Sequence, residues 1–211
     1  MGCGRARVGS DLTPPEGLFV SGHCDAEEGG GTVLLISPDE PAFWPLFTAS
    51  AEWSDGAPDP MDRWSKRVIG AWAGAIGARA AFPSDGPPYP PIFRWALASG
   101  SFWQSPVGML VHGRMGLFTS FRGAVILPRR LPPTLSSPSP CDDCHRPCLT
   151  ACPADAFRPG YHVADCHAWL DRPDGKDCLT AGCGVRRACP LSRDCGRLPE
   201  QSAWHMRQFH T

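Results

Sequence analysis

The sequence predicts an α+β protein, in which helices and an antiparallel or mixed sheet are followed by a small cysteine-rich domain. Three observations predict it. Short apolar runs bounded by Gly and Pro are interspersed with helical patterns over residues 1–128. Gly 23 and Pro 24 together make about a fifth of the 211 residues, which favours many turns and short elements. Nine of the 11 cysteines fall in the last 71 residues, where apolar side chains are sparse.

Each element has a local reason. "GLFVSG" (17–22) and "TVLLISP" (32–38) are short apolar runs separated by Gly-rich "EEGGGT", a strand pair with a hairpin connection. "PAFWPLFTAS" (41–50) is aromatic and predicts a short helix. The clearest helix follows: Asp59 or Asp62 can cap it, Pro60 suits its first turn, and it runs to Gly77. Trp64, Val68, Ala71, Trp72 and Ile76 are spaced to share one face of it. "ARAAFP" (78–83) predicts a strand and "SDGPPYPP" a loop; "IFRWALASG" (92–100) predicts a helix closed by Gly100. Residues 107–113, 116–121 and 123–128 predict three strands joined by tight turns. Residues 129–140, rich in Pro and Ser, predict a linker. Residues 141–211 form the second domain and end in a helical stretch, "EQSAWHMRQFH", which places Trp204 and Phe209 on the body.

Composition excludes several classes of function. The formal net charge is −1 and no basic stripe stands out, so nothing points to nucleic acid. The first residues carry two arginines but no apolar run, and Ala6 stands where a myristoylation pattern has Ser or Thr. No stretch approaches ~18 continuous apolar residues, so the expectation is a cytoplasmic protein with no membrane partner. No catalytic triad, phosphate loop or HExxH pattern is present. In a reducing compartment, 11 cysteines point to metal or catalysis before disulfides.

The second domain buries too little apolar surface to fold unaided, so something coordinative is expected to hold it. Its cysteines run Cys141-x2-Cys144-x3-Cys148-x3-Cys152-Pro153. The bacterial iron–sulfur run is C-x2-C-x2-C-x3-C-P, whose fourth cysteine ligates the other cluster; here one residue is added between the second and third. Three closely spaced thiolates wrap three corners of a cubane from one loop. The proline after the fourth fixes the direction in which the chain leaves. A second group, Cys178-x4-Cys183-x5-Cys189-Pro190, also ends in Cys-Pro, with Cys166 between the groups and Cys195 after them.

Two Cys-Pro ends suggest a pseudo-twofold exchange. Cys141, Cys144 and Cys148 then take Cys189, while Cys152 joins Cys166, Cys178 and Cys183. Eight thiolates serve two [4Fe-4S] clusters and Cys195 is spare. Two four-thiolate zinc sites would use the same number of cysteines, and a single cluster with a degenerate second half stays open. His145 and His167 adjoin cysteines and read as surface residues or neighbours of ligands. Asp142, Asp143, Arg186 and Arg187 read as solvated charges.

"CDDCHRPCLTACPADAF", "DCHAWL" and "GCGVRRACP" resemble the double-cluster domain of the epoxyqueuosine reductase family, which joins it to a cobalamin-binding domain. The overall resemblance is to bacterial ferredoxin-type 4Fe-4S proteins. "DRWSKRVIGAWAGAIGARAAFP" and "PVGMLVHGRMGLFTSFRGAVILP" resemble the segments that precede the clusters in those reductases. "VHGRMGLFTSFRGAVILP" is also similar to the cobalamin-processing decyanase/dealkylase family, which implies a nitroreductase-like first domain. The acidic residue that the reductases use after the strand at 78–83 has Asp85 as its nearest counterpart.

Three functions follow as expectations. The first is one-electron transfer through two [4Fe-4S] clusters, between a redox donor and an acceptor protein. The second is an oxidoreductase in which the clusters serve cobalamin or flavin held by the first domain. His112 and Arg122 would then face that cofactor, and Trp44, Trp53, Trp64, Trp72, Trp95 and Trp103 either line its site or form core. The third is a zinc-stabilised interaction module.

Overall fold

The computed structural model describes residues 12–26, 30–134 and 137–210. Cys3, the N-terminal residues and the centre of the first Gly-rich connection lie outside the described residues. The architecture is mixed α and β with antiparallel sheets. The chain divides into two units, Met1–Phe102 with Ser120–Ser137, and Trp103–Thr119 with Pro138–Thr211. Residues 103–119, which the sequence groups with the first domain, therefore belong with the cysteines.

In the first unit, β1 (Leu18–Asp25) pairs with β2 (Thr32–Pro38), Leu18 opposite Pro38 and Asp25 opposite Thr32. β3 (Arg79–Ala81) and β6 (Gly123–Leu127) complete a four-stranded sheet in the order β1-β2-β6-β3, antiparallel throughout. β2 is buried along its whole length. Side chains on both of its faces are covered, which is why its sequence is a continuous apolar run and not an alternation. The 129–140 stretch is partly tied to this sheet: the Leu131 N–H donates to Thr32 Oγ1 at 2.9 Å, and His23 Nε2 donates to the Pro132 carbonyl at 2.8 Å.

The helix expected over 41–50 is two helices, α1 (Phe43–Thr48) and α2 (Ala51–Ser54). The break falls at Ser50, whose hydroxyl accepts the Trp53 N–H and starts the second helix. α3 (Pro60–Ala75) begins with Pro60 in its first turn, but Asp59 sits in left-handed backbone and makes no side-chain cap. The buried stripe of α3 is Met61, Trp64, Ser65, Ile69 and Ala73; Ala71 is exposed. The face is rotated from the one expected because small Ser65 and Ala73 turn inward. Ser65 loses little by burial, since its hydroxyl donates to the Met61 carbonyl at 2.7 Å. α4 (Ile92–Ala98) ends before Gly100, which has φ 65°.

Trp44 and Trp64 pack with Phe43, Phe47 and Trp53 at ring separations of 5.2–6.1 Å, mostly edge-on. This is the geometry of aromatic core packing. Glu52 is buried beside it and paired through both oxygens with Arg67, which holds its pKa down at about 2.

β4 (Phe102–Gln104), which begins at the last residue before the second unit, pairs with β5 (Leu110–His112). Residues 117–121 form no strand. Polar groups at Leu117 are taken by residues far along the chain: its N–H donates to Ser192 Oγ at 2.9 Å and its carbonyl accepts from Arg186 at 2.6 Å. Five short helices follow: α5 (Val163–Leu170), α6 (Lys176–Ala181), α7 (Gly184–Ala188), α8 (Pro190–Arg193) and α9 (Pro199–Phe209). On α9 the buried residues are Gln201, Ser202 and Ala203, not Trp204 and Phe209. Phe209 stacks on His167 with ring centres 4.6 Å apart.

Candidate metal centre

The apolar cluster around which the second unit forms is small: Val107, Val111, Leu117, Cys148 and Val185 are buried, with Cys141, Cys152, Cys183 and Cys189 packed against it. Sulfur thus supplies much of what side-chain carbon supplies elsewhere. All ten described cysteines are free thiols.

Four cysteines share one recess. Cys141, Cys144, Cys148 and Cys189 line it together with Ser105, Pro106, Val111, Leu117 and Pro147, around about 270 Å³ of space that includes open solvent. Cys148 lies on a 3-10 turn, Pro147–Leu149, entered through Arg146 at φ 55°. The Arg146 N–H donates to Cys144 Sγ at 3.4 Å. These are the four sulfurs that a crossed pattern of Cys-Pro ends puts in one set.

The other four are neighbours of Cys166. Burial and nearby Cys183, Cys152 and Cys178 push its thiol up, and the Tyr161 hydroxyl beside it acts the other way. Cys166 sits on α5 and Cys178 on α6. The Ala156 N–H donates to Cys152 Sγ at 3.3 Å.

One short helix serves both sets: α7 is flanked by Cys183 at its start and Cys189 at its end. It approaches the 147–153 segment so closely that a Cβ on Gly184 would stand 2.9 Å from the Ala151 carbonyl oxygen. Glycine is the residue that permits this approach.

Burial pushes the thiols of Cys141, Cys148, Cys166 and Cys178 up, and neighbouring sulfurs push the same way. Bringing four thiolates together in a poorly solvated place is unfavourable unless positive charge is brought with them. A bound cation reverses this logic and deprotonates coordinating thiols outright. The donor set therefore fits a group that carries positive charge to both quartets. Among the described residues, no group of three or more His, Cys, Asp or Glu is placed to hold a metal ion. Cys141, Cys144, Cys148 and Cys189 surround the recess.

Arg186, read from the sequence as a solvated charge, is partly buried and donates to the Leu117 carbonyl. Burial lowers its pKa, against the opposing pull of Cys183 and Tyr161. Arg187 pairs with Asp177 and also donates to the Gly182 carbonyl. Asp142, Asp143 and His145 are exposed. His167 is half-buried, with its Nδ1 2.8 Å from His210 Nδ1. Cys195 is half-buried after α8 and does not line the recess.

His112 and Arg122 fall in different units. His112 ends β5, and its Nδ1 accepts the Arg114 N–H at 3.1 Å. Arg122 donates its N–H to the Ile36 carbonyl and a guanidinium hydrogen to Ser120 Oγ. Asp85 accepts the Phe82 N–H and pairs with Lys66, both within its own loop and the adjoining helix. Trp103 packs on the cysteine-bearing cluster.

Ser105 and Tyr161 are the residues at these sites that sequence reasoning passes over. Tyr161 lies five positions before Cys166, close enough to have been considered. Ser105 lies 36 residues before the first of the cysteines and carries no signal. Compared with protein-family models, with curated proteins and with solved structures, the chain matches none.

Proposed function

We propose that the chain is an iron–sulfur redox protein of ferredoxin type that holds two [4Fe-4S] clusters and passes electrons one at a time between a donor and an acceptor protein. The observation that carries this reading is the sorting of eight cysteines into two sets of four, one of them around a recess. Cys141, Cys144, Cys148 and Cys189 would hold one cluster, and Cys152, Cys166, Cys178 and Cys183 the other. Such clusters supply one-electron chemistry at a potential set by charge, hydrogen bonds to sulfur and exposure.

The chain's own residues do the rest. Val111 and Leu117 keep water from one side of the recess. Backbone N–H groups of Arg146 and Ala156 point at sulfur, which favours the thiolate form. The resemblance to the epoxyqueuosine reductase double-cluster domain supports the same reading. Four-thiolate zinc sites would use the same eight cysteines, and iron and zinc content separates the two readings.

A cobalamin- or flavin-linked reductase remains the second reading, favoured by a first unit larger than a carrier needs. His112 and Arg122 are the residues this reading assigns to the cofactor. A redox titration followed by electron paramagnetic resonance tests the first reading. Two one-electron steps with cubane-type signals are expected; a protein with no signal across the dithionite range would refute it. A spectral shift on adding cobalamin or flavin would move the assignment to the reductase.

A further inference from the structure

Ser105 is 5 % exposed and lies in the wall of the recess formed by Cys141, Cys144, Cys148 and Cys189. Its Oγ is buried and has no hydrogen-bond partner. Its backbone, in contrast, is fully engaged: the N–H donates to the Met109 carbonyl at 2.8 Å and the carbonyl accepts the Gly108 N–H at 2.9 Å. The residue is therefore fixed in place while its hydroxyl is left unmatched. A buried hydroxyl without a partner is unfavourable, and each such group in a native fold calls for an explanation.

The segment that carries Ser105 is tied to the cysteine region. Leu117 is held through its N–H by Ser192 and through its carbonyl by Arg186. Gly116, at φ 56°, approaches Ser192 so closely that a Cβ would stand 2.4 Å from the Ser192 nitrogen. Ser192 lies two residues beyond Pro190, itself in the recess wall.

We propose that Ser105 is a tuning residue for the recess, its hydroxyl donating a hydrogen bond to a sulfur of the group held there by Cys141, Cys144, Cys148 and Cys189. The inference rests on the two-cluster reading above and adds a residue from outside the cysteine-rich sequence. Donation to sulfur stabilises the more negative, reduced form and raises the potential. Besides Arg146 the remaining recess wall is Val, Leu and Pro, so a hydroxyl there acts in a largely apolar setting.

The test compares Ser105→Ala with the wild-type chain, measuring iron, sulfide and both reduction potentials. The potential assigned to the recess is the one that disappears in Cys148→Ala. Ser105→Ala is expected to retain all its iron and to disfavour reduction at that cluster by about threefold to tenfold, a drop of about 30–60 mV for one electron. The other potential stays where it was. Ser105→Thr and Ser105→Val form a second pair of nearly equal shape that differ in the hydroxyl; Thr is expected to lie near wild type and Val near Ala. Equal potentials for Ser and Ala with full iron, or for Thr and Val, would overturn the proposal and leave the cluster reading standing. Wild-type protein without iron would overturn both.

Discussion

The two cysteine quartets use the same ligand chemistry in unlike surroundings. The recess quartet takes three of its members from a span of eight residues, 141–148, and is walled by Val111, Leu117 and three prolines, with Ser105 and Arg146 as its polar members. The second quartet is gathered from Cys152 to Cys183, with two members on helices. It has polar company: the Tyr161 hydroxyl on Cys166, the Arg186 charge near Cys183, and Arg187 near Cys178 opposed by Asp177. Hydrogen bonds and positive charge favour the reduced state of a thiolate-ligated group. On this account each quartet has its own set of donors and charges, and the two can be perturbed separately.

The largest expected effect is loss of one quartet at a time. Cys148→Ala should remove about half the iron and leave the signals of the second cluster; Cys178→Ala should do the reverse. Metal analysis and paramagnetic resonance check this. Loss of all iron in both variants would show that the quartets are one cooperative unit, and unchanged iron would reject the ligand assignment.

Gly116→Ala comes next. It places a Cβ in left-handed backbone and against the Ser192 nitrogen, a combination expected to destabilise the second unit by about 2–3 kcal/mol. Chemical denaturation checks the stability, and the recess cluster should be the first to bleach.

Tyr161→Phe removes the hydroxyl beside Cys166 and retains the ring that stacks on Phe157 at 4.6 Å. Iron should stay, and the second potential should fall by about 30–60 mV while the recess potential stays where it was. An unchanged second potential in a redox titration would remove Tyr161 from that cluster's surroundings.

Acid should act on the first unit through Glu52. Its pKa in the fold is about 2, against 4.5 as the ordinary value. The stability it contributes is therefore present above about pH 4.5 and is lost as pH falls toward 2. Arg67 is 58 % exposed, so solvent screening limits the effect to about 1 kcal/mol. Melting of Arg67→Ala should be lower by that amount at pH 7, with little difference near pH 2. The smallest effect belongs to Cys195→Ala, which should leave iron unchanged; lost iron would add Cys195 to a ligand set.

The elements that local chemistry determines are the ones a reader can find in the chain. The β1–β2 pair shows as two apolar runs around a glycine turn, and α3 shows as Pro60 followed by a long period. The face of α3 does not show, because Ser65 is buried through a bond to Met61 that no pattern of apolar residues records. Residues 116–121 look like a strand because their side chains suit one. Gly116 only bridges to His112, and the backbone of Leu117 is instead satisfied by Arg186 and Ser192, about 70 residues away in the chain. The same long-range ties explain why Ser105 stands in the cysteine recess while its sequence neighbours read as part of the first domain. Cysteine spacing is legible because ligand geometry restricts it; the polar groups beside the sulfurs obey no such spacing.

The account stands or falls on the metal content of anaerobically purified protein. Iron, sulfide and zinc should be counted together with the visible absorption spectrum. The account predicts about eight irons and eight sulfides per chain, with broad absorption that dithionite bleaches. A colourless protein with about two zincs per chain would contradict it and leave the cysteines a structural role.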